Sequence, residues 1–306
     1  MRFRKLDLNL LVVLDAMLKF RSTSRAGEHL SLTQPAVSNA LRRLRDHFDD
    51  ALFVPLGRQM MPTSLAASLE QPVRDLLIQL QVVADKRAVF DPKTSERTFD
   101  IIASDYVSEV FLAPLVRHLS VEAPGIRLDL RVITADAEDE LRRGDVDFLI
   151  FPERALVEGH PRRRLFDEDF TCIAWAGNTE IGDELRTEDF MRLKHVFTAY
   201  ARPSQFQLAV EHLGWQMDVA CSVPSFSQVP HFVVETPFIA TIHSRLLPQV
   251  SKDLPLRYFR PPVQIPVLYE AVQWHQHRDS DPDTQWIVQQ MAQVAGRMPP
   301  LEEIAI

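Results

Sequence analysis

RSTSRAGEHLSLTQPAVSNALRRLRDHF, residues 21–48, reads as two short helices joined by a tight turn. Ser22 or Thr23 can cap the first helix, which ends near Leu30. Thr33 can cap the second, with Pro35 in its first turn, where a missing N–H costs nothing. Val37, Leu41, Leu44 and Phe48 recur at steps of four, three and four, which gives that second helix one buried face. Ser38, Asn39, Arg42 and Arg43 fall elsewhere on it, as small polar and basic surface suited to a DNA major groove.

Working outward, Asp7 can cap an earlier helix, Leu8 to Phe20, with Leu11, Leu14 and Leu18 on one face. Residues 51–63 look like a small β-hairpin, a wing with Arg58 beside Gly57 at its tip. From Ser64 to about Ala88 the pattern is one long helix. Its seam of Leu65, Leu69, Leu76, Leu80 and Val83 has little core of its own, so pairing with the same helix of a second chain is expected. Pro72 should kink or break that helix. After Asp91-Pro92 strands alternate with helices. Strands are expected at Phe99–Ser104, Ile126–Ile133, Val146–Phe151, Phe170–Ala176, His195–Thr198, Phe238–Ile242 and Val267–Trp274, with helices in the gaps. That alternation predicts mostly parallel sheets covered by helices, in two lobes.

Charge is unevenly spread along the chain. Residues 1–63 carry ten Lys/Arg against six Asp/Glu, and the rest 24 against 36, so a basic head precedes an acidic body. Two cysteines, Cys172 and Cys221, are too few for a disulfide framework and suggest a reducing compartment. Met1 to Phe20 faintly imitates a signal peptide, but Asp7, Asp15 and Lys19 interrupt its apolar run and no small-residue cleavage site follows. No apolar stretch reaches membrane-spanning length, so a cytoplasmic protein without a membrane partner is expected.

The run LSLTQPAVSNALRRL, the opening LDLNLLVVLDAM and the turn Arg142-Arg143-Gly144-Asp145-Val146-Asp147-Phe148 resemble the LysR-type transcriptional regulators over essentially the full length. Met1-Arg2-Phe3, Leu52-Phe53, Phe90-Asp91-Pro92, Phe166-Asp167-Glu168 and Glu270-Ala271-Val272-Gln273-Trp274 resemble one branch of that family. It holds the nodulation-gene activators that answer plant flavonoids and the regulators of salicylate and nitroaromatic breakdown. The resemblance implies an α+β multidomain chain: a winged helix-turn-helix over 1–63, a linker and dimerisation helix over 64–90, and a two-lobed α/β effector domain over 91–306, like a periplasmic binding protein. Lobe one is expected at about 91–163 and 266–306, lobe two at about 164–265. The resemblance also implies a dimer of dimers on double-stranded promoter DNA, and a small inducer that alters DNA bending and contact with RNA polymerase.

A recognition helix presents its N-terminal residues to base edges while flanking groups anchor phosphates. Gln34 and Asn39 can pair with adenine, Arg42 or Arg43 with guanine or phosphate, and Pro35 can touch a thymine methyl. Thr33 and Ser38 border the same face. Ser22 and Ser24 can meet phosphate at the start of the helix that Ser22 caps, and Arg58 the minor groove or a phosphate. Arg45 is left as solvated or phosphate-facing.

Ligands of two-lobed α/β domains sit at the carboxyl ends of strands. Strand ends give Ser104, Asp105, Tyr106, Phe151, Pro152, Phe170, Cys172, Tyr200, Arg202, Ser204, Phe226, His243, Arg245 and Tyr269 as candidates. Their aromatic content favours a flat, mostly apolar inducer. Arg245 or Arg202 can hold a carboxylate, and in the salicylate-responding branch the position resembling Arg245 is linked to inducer response. Asp105 would repel a carboxylate, so a phenol fits as well. Each aromatic has the ordinary alternative of being core.

Rival readings are an enzyme or a non-regulatory α/β binding module, and a redox switch on Cys172 and Cys221. No G-x-S-x-G, H-E-x-x-H, G-x-G-x-x-G or Walker A pattern appears, and nine glycines are few for phosphate-cradling loops. No catalytic residue, cofactor or metal is assigned. His275, His277 and Asp279 offer two ring ligands on one side of a strand end without a clear third.

Overall fold

The computed structural model describes residues 6–57, 59–85, 90–199 and 205–304. The chain divides into two compact units, Met1–Arg87 and Ala88–Ile306.

In the first unit three helices, α1 (Asn9–Phe20), α2 (Thr23–Leu30) and α3 (Gln34–Phe48), precede a hairpin, β1 (Phe53–Leu56) with β2 (Gln59–Pro62), and a long helix, α4 (Ser64–Asp85). The starts follow the expected chemistry. Ser22 Oγ accepts the Arg25 N–H at 3.4 Å, and Thr33 Oγ1 accepts that of Ala36 at 3.4 Å. Asp7 Oδ1 accepts the Asn9 N–H at 3.1 Å from one position before the N-cap, Leu8. The stops share a device: Arg21, Ser31 and Asp49, just past α1, α2 and α3, all take left-handed backbone at φ 49°, 55° and 51°. Leu11, Leu14 and Leu18 meet Val37, Leu41 and Leu44 in one core.

The turn between α2 and α3 is tight enough to demand a glycine. A Cβ on Gly27 would lie 2.7 Å from the Leu32 carbonyl oxygen, whose own N–H donates back to the Gly27 carbonyl at 2.8 Å. We expect Gly27→Ala to cost about 1–3 kcal/mol by forcing that turn open. A thermal melt unchanged from the wild type would contradict this packing.

α4 runs through Pro72 without an interruption of helical assignment. Its seam is divided. Leu65, Leu69 and Leu76 pack on the core of α1 and α3, while Leu80 and Val83 are exposed. The expectation that this helix lacks a core of its own is therefore corrected for its first three turns. Arg74 of α4 also pairs with Asp15 of α1 at 2.7 Å, with little exposure on either side.

The second unit holds two five-stranded sheets. The first has the order β4-β3-β5-β12-β6: β4 is Arg127–Arg131, β3 Thr98–Ile102, β5 Phe148–Pro152, β12 Leu268–Trp274 and β6 Arg162–Glu168. The second has the order β11-β7-β10-β8-β9: β11 is Leu256–Phe259, β7 Phe170–Trp175, β10 Ile239–His243, β8 His195–Thr198 and β9 Val219–Val223. Each sheet has two parallel and two antiparallel pairings, because one strand, β12 in the first and β7 in the second, runs against the other four, so the sheets are mixed. Helix α5 (Asp105–Val107), a π-helical turn at Ser108–Leu112 and α6 (Ala113–Glu122) follow β3. α9 (Gln205–His212) lies on the second lobe, and α12 (Pro282–Ala295) closes the first.

Seven strands stand where alternation put them, and β6, β9 and β11 were not expected. All three are outer strands: β6 opens on three exposed arginines, β9 is mostly exposed, and β11 is only four residues long, so none stands out as a buried central strand. β6 moves the first lobe's limit. Its residues pair with β12, so the chain crosses between lobes after Glu168 and not near 163. A six-residue helix, α8 (Thr187–Arg192), was also unforeseen.

Candidate functional site

The candidate residues gather in two places, one in each unit. On α3, Val37, Leu41 and Leu44 face inward, and Thr33, Gln34, Pro35, Ser38, Asn39, Arg42 and Arg43 are all exposed. Ser24 is exposed and Ser22 half-buried at the start of α2. Gln34 Nε2 reaches Thr23 Oγ1 at 3.5 Å, which links the two helix starts. Arg42 Nη2 donates to Asn39 Oδ1 at 2.8 Å, and Arg43 Nη2 to Asp7 Oδ2 at 3.1 Å.

Arg45 has a different task. Its Nε donates to the Ala51 carbonyl at 2.7 Å and its Nη2 to that of Phe53 at 3.4 Å, so it fixes the approach to the wing. The hairpin register, Leu56 against Gln59, leaves a two-residue turn with Gly57 at φ 62°. Arg58, the other turn residue, lies outside the described residues. Behind the hairpin, Asp50 Oδ1 accepts from the Leu52 N–H at 2.6 Å and from Thr63 Oγ1 at 2.7 Å, and the Met60 N–H donates to the Arg21 carbonyl at 2.9 Å. The wing is thus tied to both ends of the helical core.

The second place is the lobe junction. Ser104 caps α5, its Oγ accepting the Val107 N–H at 3.1 Å. Asp105 Oδ2 of lobe one accepts from Ser225 Oγ at 2.6 Å and from Ser227 N–H at 3.1 Å, both in lobe two. Tyr106 is fully buried, donates its hydroxyl to Glu168 Oε2, and stacks on the His243 ring at 3.9 Å and 7°. Phe226 stands edge-on to His243, and Phe170 lies 4.9 Å from it. Asp105, Tyr106, Phe170, Phe226 and His243 are therefore one constellation drawn from both lobes.

Burial sets its protonation. It pushes the His243 imidazole down to about 3, so the ring is neutral. It raises Glu168 to about 7, against the Tyr106 hydroxyl and the backbone N–H groups of Asp169 and Arg245. It raises Glu270, on β12, to about 8, with the Glu168 charge as the second cause. Tyr106 is driven well above its ordinary value by burial first and by Glu168 next. Among the described residues nothing bonds to Glu270 Oε2 or to His243 Nδ1.

The other candidates fall elsewhere. Arg245, expected as a carboxylate holder, is already engaged within the fold. Its Nε and Nη2 donate to the Asp167 carbonyl at 2.8 Å and the Asp167 carboxylate at 2.7 Å, and its Nη1 to the Pro299 carbonyl at 2.7 Å. It ties the crossing strand to the C-terminal segment, beside two grooves of about 390 Å³ each. Phe151 packs with Ile102, Leu141 and Val146 inside lobe one, with Pro152 next to it at the end of β5, so it belongs to that core rather than to the junction. Cys172 lies in the core of lobe two, its Sγ 3.2 Å from Thr241 Oγ1. Tyr269 is half-exposed beneath the Arg164 guanidinium and borders a groove of about 340 Å³ with Leu208 and His212 of α9. Tyr200, Arg202 and Ser204 lie outside the described residues.

The cysteine switch meets a geometric obstacle. Cys172 on β7 and Cys221 on β9 are separated by β10 and β8, which at roughly 4.8 Å per strand is about 14 Å, too far for a disulfide. Burial also pushes the Cys172 thiol up to about 12. At the end of β12 the chain turns at once into a 3-10 helix, Gln276–Arg278, with His275 Nδ1 accepting the His277 N–H at 3.3 Å, so the two histidines do not share an extended strand.

Sequence reasoning passed over Glu168, Glu270, Asp167, Ser225 and Ser227. Glu270 carried a readable signal: a carboxylate between apolar neighbours in a strand buried nearly throughout. The serines carried none, because small polar residues in a loop have many uses.

The comparisons agree with this geometry. Residues 8–67 match the model of "Bacterial regulatory helix-turn-helix protein, lysR family", and residues 93–296 that of "LysR substrate binding domain". Nodulation protein D 1 of Mesorhizobium japonicum is 41% identical over 302 residues, covering 97% of this chain and 96% of that protein. Nodulation protein D 3 of the same organism is 40% identical, covering 97% and 100%. The crystal structure of probable transcriptional regulator PA0477 from Pseudomonas aeruginosa superposes with a TM-score of 0.63 at 28% identity, covering 94% of this chain and 97% of that one. With both models matched in order and relatives aligned almost end to end, this chain belongs to the LysR family of transcriptional regulators and is no enzyme.

Proposed function

We propose that the chain binds promoter DNA through the exposed face of α3 and releases or changes its promoter activity when a small aromatic, phenolic inducer enters the lobe junction. The observation that carries the DNA reading is the division of α3 into a fully buried apolar stripe and a continuous exposed face of Gln34, Pro35, Ser38, Asn39, Arg42 and Arg43. Gln34 and Asn39 have the paired donor and acceptor that match adenine, and Ser22, Ser24 and Thr33 stand at helix starts where phosphates bind. Arg42 is a phosphate anchor. Arg42→Ala should weaken promoter binding and lower the slope of log affinity against log salt by about 0.9. An anisotropy titration showing the same slope would refute that role.

The chemistry of the junction supports an uncharged inducer. Arg245 is committed, Asp105 places a carboxyl group there, and His243 is a neutral imidazole with an unbonded nitrogen beside Phe170 and Phe226. A phenolic hydroxyl can bond such a nitrogen, whereas a carboxylate would face the Asp105 carboxyl group while Arg245 is already engaged elsewhere. A thermal-shift screen should give stabilisation by phenols and none by benzoates at equal concentration. The reverse ranking would overturn this inducer class.

The remaining parts of the reading are those of the family. Leu80 and Val83, exposed at the end of α4, support pairing of linker helices and a dimer of dimers that recruits RNA polymerase as an activator. No helix among the described residues is long and apolar enough to cross a membrane, which suits work on DNA in the cytoplasm. The linker spans 64–90, and the effector domain 91–306.

A further inference from the structure

α3 presents two neighbouring arginines, and their partners differ in kind. Arg42 donates to Asn39, a neutral amide on its own helix, so its full charge faces outward. Arg43 donates to Asp7, a carboxylate 36 residues away at the start of α1. Asp7 is itself held at two points: Oδ1 accepts the Asn9 N–H at 3.1 Å, and Oδ2 accepts Arg43 Nη2 at 3.1 Å. The carboxylate is anchored to the backbone of a helix whose Leu10, Leu11 and Leu14 are core, so it is a rigid hand on a flexible side chain. The Asn9 N–H and Arg43 also keep it below its usual range, so it stays ionised at neutral pH.

Resting on the DNA reading above, we infer that Asp7 is a specificity-determining residue that turns Arg43 from a phosphate anchor into an oriented reader of a base edge. Two physical effects produce this. The Asp7 charge offsets that of Arg43, which removes most of the salt-dependent pull toward any phosphate. The bond from Nη2 fixes the guanidinium plane, so the remaining donors meet a guanine edge only in one docking register. Arg42 supplies sequence-independent attraction, and Arg43 supplies discrimination.

The test uses the full chain, a duplex enriched by selection from random DNA, and a scrambled duplex of equal length, with anisotropy read across a salt series. Asp7→Asn keeps the Oδ1 acceptor for the Asn9 N–H, so α1 keeps its start, and circular dichroism checks the fold. Asp7→Asn should tighten binding to scrambled DNA roughly five- to tenfold near 0.1 M salt, steepen its salt slope by about 0.9, and lower the specific-to-scrambled ratio. In an Arg43→Ala background the same change should have little effect, because a bare loss of negative charge would act in both backgrounds. A wild-type chain that discriminates, with Asp7→Asn leaving the ratio unchanged or acting equally without Arg43, overturns this inference alone. A wild-type chain that prefers no duplex overturns the DNA reading, and this inference with it.

Discussion

Arg245→Ala is expected to lower the stability of the effector unit by about 2–4 kcal/mol. The side chain is 4% exposed and makes three hydrogen bonds through all its nitrogens, two to Asp167 and one to the Pro299 carbonyl. Truncation strands the carbonyls of Asp167 and Pro299, leaves a void beside Phe166, and detaches the C-terminal segment from the crossing strand. The loss stops short of the largest values for broken buried pairs because the Asp167 carboxylate is 47% exposed and can return to water. For a unit of this size the melting temperature should fall by roughly 5–15 °C. Arg245→Lys should recover less than half, since one ammonium cannot serve Asp167 and Pro299 in two directions. A change below about 0.5 kcal/mol would mean that the guanidinium is not the tie described.

The second large effect is pH dependence. Glu168 and Glu270 sit within one low-dielectric site, both raised by burial, to about 7 and about 8. The folded chain therefore binds protons more tightly than the unfolded chain, whose carboxyls keep the ordinary value near 4.5. Their contribution is fully present below that value and is lost as pH rises through 7 and 8. One proton moved over such a window is worth on the order of 3 kcal/mol. The effector unit should thus resist urea better at pH 6 than at pH 8.5. Glu270→Gln removes the carboxyl that burial and the Glu168 charge raise furthest, so it should flatten the profile and stabilise most at alkaline pH. Parallel profiles for the two proteins would contradict a buried acid pair.

Much of this architecture was legible because its signals are local. Caps at Ser22 and Thr33 and the stripe of Val37, Leu41 and Leu44 specify α2 and α3 without help from elsewhere. Central strands such as β5 and β10 announce themselves as apolar runs. The edge strands did not, because Arg162-Arg163-Arg164 on β6 reads as solvated charge until β12 is known to lie beside it. The candidate site divides in the same way. Exposure on α3 follows from periodicity, whereas the fate of Arg245 depends on Pro299, 54 residues on. Charge, strand position and the family resemblance made it a ligand holder, and only the packed chain shows that each of its nitrogens already has a partner. The wing contacts of Arg45 were equally out of reach of a local reading, its partners being the carbonyls of Ala51 and Phe53.

The account stands or falls on whether α3 reads base pairs. Selection of random duplex DNA by the full chain, run beside Asn39→Ala, tests this most directly. The wild type should enrich one dyad-related sequence, and Asn39→Ala should relax the preference at one position in each half while keeping the others. No enrichment by the wild type, or an identical sequence set from both proteins, would contradict it.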